Sequence, residues 1–288
     1  MHFLLPATSA NLGPGFDCLG IAWNLYNEIS FDLASETVIT GCDARYQNPE
    51  NLALRGYEAA LQTVGKPISP VRIHFGETGV PVSRGLGSSA ALIAGGVLAA
   101  DALHELHLTR QQMLAIGTQI EGHPDNLAPV FFGGLTAAAA RNGQVMSVNY
   151  PLSDKLHFTA LIPDVKLSTH AARSALPDTY PRADAVHNLS GVALLIKALQ
   201  TGDTELLRFA LSDKLHEPYR MPLIAHAEQA KAAALNAGAD IEKLVDLNVR
   251  EQIGRYKYTE EKDILPAYET VRKALSAELA ALLETEEN

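Results

Sequence analysis

Cysteine is almost missing from this chain: Cys18 and Cys42 are the only two among 288 residues. Two are too few for a disulfide framework, and the composition suits a reducing cytosol. Basic charge is also scarce, with 23 Lys and Arg against 33 Asp and Glu and a formal net charge of -10. That argues against a nucleic-acid binder, which needs a basic face, but leaves room for a local basic pocket around a small anion. Long apolar runs are absent, the richest (residues 90–100) falling short of a membrane span. The opening His2-Phe3-Leu4-Leu5-Pro6 is too short for a signal sequence, and no internal repeat is found. What is present is 47% hydrophobic and 19% charged, enough for a sizeable core in one large or two modest domains. The expectation is a cytoplasmic protein with neither a nucleic-acid nor a membrane partner.

Two familiar catalytic signatures are lacking as well. No Gly-Lys-Ser/Thr follows a glycine-rich loop at Walker A spacing, and no Gly-x-Ser-x-Gly elbow occurs. The chain does contain Pro81-Val82-Ser83-Arg84-Gly85-Leu86-Gly87-Ser88-Ser89, running into Ala90-Ala91-Leu92-Ile93-Ala94. Glycines one residue apart allow close backbone approach, and a helix that opens on small side chains offers amide donors with no intrahelical partner to a phosphate. A serine hydroxyl at such a helix start is also an oxygen ligand for Mg²⁺. Gly85-x-Gly87-x-x-Ala90 meets the relaxed dinucleotide fingerprint, yet Ser83-Arg84 stands where a strand should end, and Glu105 continues a helical pattern. An ordinary serine-capped turn would be the better reading of this loop in isolation.

Along the chain, residues 2–5 read as a short strand ended by Pro6. A turn-rich segment, Pro6-Ala7-Thr8-Ser9-Ala10-Asn11-Leu12-Gly13-Pro14-Gly15-Phe16-Asp17, follows. Asn11 and Asp17 either point into a pocket, Asp17 as an anion for an amine, or close Asx turns on their own backbone. Residues 28–33 alternate as a strand, and Asn51 is placed to cap a helix ended by Gly65 and Pro67. Val71, Ile73 and Phe75 alternate with Arg72 and His74 in a strand leading to the central loop. Thr109-x-x-Gln112 is a capping-box pattern opening a helix that ends in Glu121-Gly122-His123-Pro124-Asp125-Asn126, where acid, imidazole, acid and amide cluster. Arg141-Asn142-Gly143-Gln144 reads as a hairpin turn, and Pro151 to Asp154 as a hinge. Beyond it, residues 156–162 read as a strand, Ser168 and Thr169 as a helix start, and residues 189–199 as a helix stopped by Gly202. Asp203 is placed to cap the next helix, and Arg220 lies in a charged loop bracketed by Pro218 and Pro222. Residues 224–236 and 266–286 carry helical patterns.

The segment from Pro6 to Gly20, the Gly85-Leu86-Gly87-Ser88-Ser89-Ala90-Ala91 loop and Glu121-Gly122-His123-Pro124-Asp125-Asn126 resemble the GHMP small-molecule kinases. Within that superfamily the chain is similar to the homoserine kinases, also through Ser168-Thr169-His170-Ala171-Ala172-Arg173 and Glu217-Pro218-Tyr219-Arg220. The likeness spans residues 2–238. It implies an α+β fold of two domains, residues 1–152 like domain 2 of ribosomal protein S5 and residues 153–288 ferredoxin-like. It also implies ATP with Mg²⁺, and phosphorylation of the side-chain hydroxyl of L-homoserine on the way to threonine. By position, Asn51 would meet the adenine, and Arg84, Gly85, Leu86, Gly87, Ser88 and Ser89 the phosphates. Ser89 and Glu121 would hold Mg²⁺. Asn11, Asp17, His123, Thr169, Arg173 and Arg220 would line the substrate site, with Glu121, Asn126 and Arg173 at the chemistry. The residue types agree: an acid suits an ammonium, and a guanidinium fork suits a carboxylate. Asn126 stands where some relatives place an aspartate base, so no dedicated base is expected, Asp125 and His123 being weaker choices. The superfamily's late Ser-Gly-x-Gly-Pro motif is absent, and residues 240–288 depart from the family pattern. A kinase for another small alcohol and a catalytically weakened ligand-binding homologue therefore stay open, and a homodimer is compatible with the sequence.

Overall fold

A computed structural model describes residues 1–78, 80, 85–156, 158 and 169–224, the side chains of Glu77, Thr78, Thr169 and His170 excepted. The chain divides into two compact units, Met1–Asp154 and Lys155–Asn288. Among the described residues no helix is long and apolar enough to cross a membrane.

The first unit is built on a six-stranded sheet. Its strands are β1 (His2–Leu12), β2 (Gly15–Leu33), β3 (Val38–Thr40), β4 (Val71–Thr78), β5 (Leu135–Arg141) and β6 (Gln144–Tyr150). The order is β3-β4-β2-β5-β6, with β1 antiparallel along β2. Only β3 and β4 run parallel. The turn-rich segment from Pro6 to Asp17 is thus not an open loop: β1 runs through Pro6 and turns at Gly13-Pro14 directly into β2. Among the described residues β1 pairs with β2 alone, and proline is tolerated in a strand with one side unpaired. Register slips between Pro6 and Thr8 and again between Ala10 and Leu12, and such bulges re-aim side chains. The hairpin between β5 and β6 turns at Asn142 (φ 51°) and Gly143 (φ 76°), as the Asn-Gly pair predicts.

Four helices, α1 (Leu52–Thr63), α2 (Ser88–His104), α3 (Arg110–Glu121) and α4 (Leu127–Phe132), complete this unit. Leu5, Ile29, Phe31, Val71, Ile73 and Phe75 from the sheet share one buried cluster with Ala90, Ile93, Ala94, Val97 and Leu114 from the helices. Small residues on α2 let it lie deep between α1 and the sheet. Asn51 caps α1, its Oδ1 accepting from Ala53 N at 3.0 Å, and the Thr109/Gln112 capping box opens α3.

The described part of the second unit is helical: α5 (Thr169–Ser174), α6 (Arg182–Thr201), α7 (Thr204–Ala210) and α8 (Glu217–Arg220). The α6 helix begins seven residues before Leu189, because Pro181 occupies its N-cap and fixes the entry. Gly202 ends it in the left-handed conformation, and Asp203 caps α7 through Leu206 N at 2.9 Å. The ferredoxin-like sheet, most of the strand at 156–162 and the helices at 225–236 and 266–286 lie outside the described residues.

Candidate active site

The mouth of α2 carries the strongest geometric signal. Gly85 (φ 70°) and Gly87 (φ 63°) both adopt left-handed backbone, and Gly87 caps α2 without any side-chain hydrogen bond. Among the described residues no side chain caps the first amides of α2, which have no intrahelical acceptor. A Cβ on Gly87 would overlap Thr8 Oγ1 and approach Asn126 Oδ1 to 3.0 Å, so only glycine fits where three segments meet. The loop is pinned from below: Thr8 N donates to Leu86 O at 3.0 Å, and the Leu86 side chain is buried. The Leu86 side chain thus anchors the loop, and its main-chain oxygen is held by Thr8. Asn27 Oδ1 accepts from Val80 N at 2.9 Å and holds the approach to the loop. Arg84 lies outside the described residues.

Glu121 is the last residue of α3, and Ser89 Oγ donates to its Oε2 at 2.6 Å. A hydroxyl and a carboxyl oxygen at that separation suit two neighbouring positions on Mg²⁺, for which an octahedral edge is about 2.9 Å. No group of three or more His, Cys, Asp or Glu that would hold a metal occurs among the described residues. One hydroxyl and one carboxylate are oxygen donors of the kind Mg²⁺ takes alongside phosphate and water. The donor set therefore fits the ion.

Gly122 (φ 91°) ends α3 and turns the chain into His123-Pro124-Asp125-Asn126. Asp125 is 0% exposed. Its Oδ1 accepts from Asn126 N at 2.9 Å and lies 2.5 Å from His123 Nδ1. Its main-chain oxygen lies against β2 at Gly20, where a Cβ would collide with it. The acid is thus walled in, and its visible work is to orient His123 and the turn. Burial first, and then the Asp125 charge, push the neighbouring Cys18 thiol up, so it is a poor nucleophile near neutrality. Asn126 Oδ1 accepts from Thr8 Oγ1 at 3.0 Å.

At the β1–β2 turn, Asn11 (φ 59°) and Asp17 (φ 51°) both adopt left-handed backbone, which Asn and Asp tolerate best. Asn11 Oδ1 accepts from Asp17 N at 2.8 Å, so the amide braces the turn that carries the acid. Asn51 is 5% exposed, and both ends of its amide are engaged: Oδ1 with Ala53 N, and Nδ2 with Tyr46 O at 2.8 Å.

Arg173 and Arg220 belong to the second unit, Arg173 in the last turn of α5 and Arg220 at the end of α8. The Thr169 side chain lies outside the described residues. Arg220 is 8% exposed. The turn ahead of α8 is ordered by Asp213, a residue that sequence reasoning passed over. Its Oδ2 accepts from Leu215 N, His216 N and Glu217 N at 3.1, 2.7 and 2.8 Å, and its Oδ1 accepts from Asn188 Nδ2 at 2.7 Å. This ties the loop to α6 and sets the start of α8. Burial alone would raise the Asp213 pKa, but the His216 imidazole, Asn188 and the two amides outweigh it and hold the pKa below the usual carboxylate value. The spacing of Asp213 ahead of Glu217-Pro218 was the available signal.

The family described as GHMP kinases N terminal domain matches residues 51–134. The chain is 42% identical over 221 residues to homoserine kinase of Clostridium botulinum, covering 76% of this chain and 74% of that one. It is 41% identical over 239 residues to homoserine kinase of Moorella thermoacetica, covering 82% and 80%. The crystal structure of homoserine kinase from Cytophaga hutchinsonii is similar, with a TM-score of 0.78 and 27% identity over 98% of this chain and 91% of that one.

Proposed function

The chain belongs to the homoserine kinases of the GHMP kinase family, and on that premise we propose that it transfers the γ-phosphoryl group of ATP to the side-chain hydroxyl of L-homoserine. The acceptor oxygen bonds to the γ-phosphorus, the bridging oxygen–γ-phosphorus bond breaks, ADP leaves, and the hydroxyl proton is released to solvent. O-phospho-L-homoserine is formed, a step toward threonine, in the cytoplasm. The observation that carries the reading is the 2.6 Å pairing of Ser89 Oγ with Glu121 Oε2 at the glycine-capped start of α2.

In this reading the amides of Gly87, Ser88 and Ser89 cradle the phosphates, and the resemblance adds Arg84, Gly85 and Leu86 to them and sets Asn51 at the adenine. Ser89 and Glu121 hold Mg²⁺, which when bound neutralises charge on the triphosphate. Asp17 receives the substrate ammonium, and Asn11 fixes its backbone. His123, oriented by Asp125, and Asn126 line the acceptor hydroxyl. The resemblance assigns Thr169, Arg173 and Arg220 to the substrate as well, and the guanidinium groups suit its carboxylate. Asn126 is an amide and takes no proton, so positioning and charge neutralisation carry the reaction.

Glu121→Gln tests the assignment, since the amide oxygen still accepts from Ser89 while the charge is lost. We expect ADP formation to fall by about 10² or more, as when a transition-state charge partner is removed, and more Mg²⁺ to be needed for half-maximal rate. A near wild-type rate at ordinary Mg²⁺ contradicts the metal role.

A further inference from the structure

We propose that Thr8 is a positioning residue for phosphoryl transfer: its hydroxyl fixes the rotation of the Asn126 side chain so that the NH₂ end, not the carbonyl end, faces the acceptor. The inference rests on the reading of Asn126 as a residue lining the acceptor hydroxyl.

Three observations support it. Thr8 is wholly buried, and its Oγ1 donates to Asn126 Oδ1 across 118 residues of sequence. Asn126 holds the N-cap of α4 yet makes no side-chain cap bond. An asparagine there would ordinarily turn its Oδ1 to the first free amides of the helix, whereas here that oxygen is drawn to Thr8. Finally, a register slip in β1 between Pro6 and Thr8 sets the direction of the Thr8 side chain, as bulges do beside active sites.

The consequence is chemical. An amide carbonyl turned to the acceptor would repel the oxygens of the γ-phosphate. An amide NH₂ there donates to the acceptor or phosphoryl oxygen and supports the charge that builds in transfer. The same residue also holds the phosphate loop, through Thr8 N to Leu86 O. Thr8 therefore sets two things at once: the height of the loop by its main chain, and the polarity of the acceptor wall by its side chain. Gly87 keeps the junction open, because any Cβ there would enter the Thr8–Asn126 contact.

The test is steady-state kinetics on Thr8→Val, Thr8→Ser, Asn126→Ala and the Thr8→Val/Asn126→Ala double variant. Thr8→Val keeps the shape and removes the donor, and we expect kcat to fall about tenfold, the scale of one lost hydrogen bond, while both KM values move little. Thr8→Ser restores the rate, because the donor returns. In the Asn126→Ala background Thr8→Val adds no further loss, since the two act as one unit. Equal losses in both backgrounds, or wild-type kcat in Thr8→Val, overturn the proposal. An unchanged kcat in Asn126→Ala overturns the acceptor-site reading itself, and the Thr8 role with it. Thr8→Ala answers the same question should the valine not pack.

Discussion

At His104, the last residue of α2, two effects compete. A helix C-terminus ordinarily favours imidazolium. Here burial first, and then the nearby Lys66 ammonium, hold the His104 pKa below its usual value. Its Nε2 lies 2.7 Å from the Tyr57 hydroxyl and 2.9 Å from Ser69 Oγ, while Lys66 Nζ donates to its main-chain oxygen at 2.7 Å. A folded-state pKa below the unfolded value means that the unfolded chain takes up the proton first. The neutral ring's contribution is therefore complete above the unfolded value of about 6.5 and is lost as pH falls below it. We expect the melting midpoint of the protein to drop between about pH 7 and about pH 5, and to drop less in His104→Gln. Parallel curves for the two proteins contradict this account. Residues of this kind were the least legible in the sequence. Nothing local marks Thr8 as a partner of Asn126, or Asp125 as a buried support for His123, because those contacts join residues brought together only by the fold. Glu121 and Ser89 were legible because their chemistry is local to two motifs.

At the scale of elements, end signals carried well. Asn51, the Thr109/Gln112 pair, Gly202 and Asp203 all stop or start helices where their side-chain chemistry requires. The Asn142-Gly143 turn fell into place for the same reason. The β1–β2 hairpin did not, because Pro6, Gly13, Pro14 and Gly15 read as breakers. Their tolerance depends on the slipped register of β1 and on its pairing, among the described residues, with β2 alone, a property of pairing and not of local sequence. The segment leading into α8 reads in the sequence only as charged and bracketed by prolines. Its order comes from Asp213, a single carboxylate that accepts three main-chain amides and the Asn188 side chain. Asp213→Ala leaves those donors buried without an acceptor, and we expect a loss of about 3 kcal/mol of stability. We also expect a raised KM for L-homoserine with the KM for ATP little changed, because Arg220 is carried on the helix that Asp213 starts. Urea denaturation and two-substrate kinetics check both parts. A stable variant with an unaltered KM for L-homoserine removes Asp213 from any role in placing Arg220.

For the whole molecule, three motifs in fixed order were enough to identify the kinase family and its α+β fold. Each motif needs the others: the α2 mouth offers amides, Glu121 comes from the end of α3, and the β1–β2 turn brings Asn11 and Asp17. The role of residues 240–288, where the late Ser-Gly-x-Gly-Pro motif is absent, was not legible, since no pattern there names a chemistry. The central claim is that this chain grips a triphosphate by main-chain amides at the start of α2 and delivers phosphate to an amino-acid alcohol. ADP release by the purified full chain with ATP and Mg²⁺, measured with and without L-homoserine, tests it most directly. The account predicts release that saturates with L-homoserine and a matching yield of O-phospho-L-homoserine. Binding of both ligands by calorimetry with no ADP formed above the acceptor-free rate would contradict it.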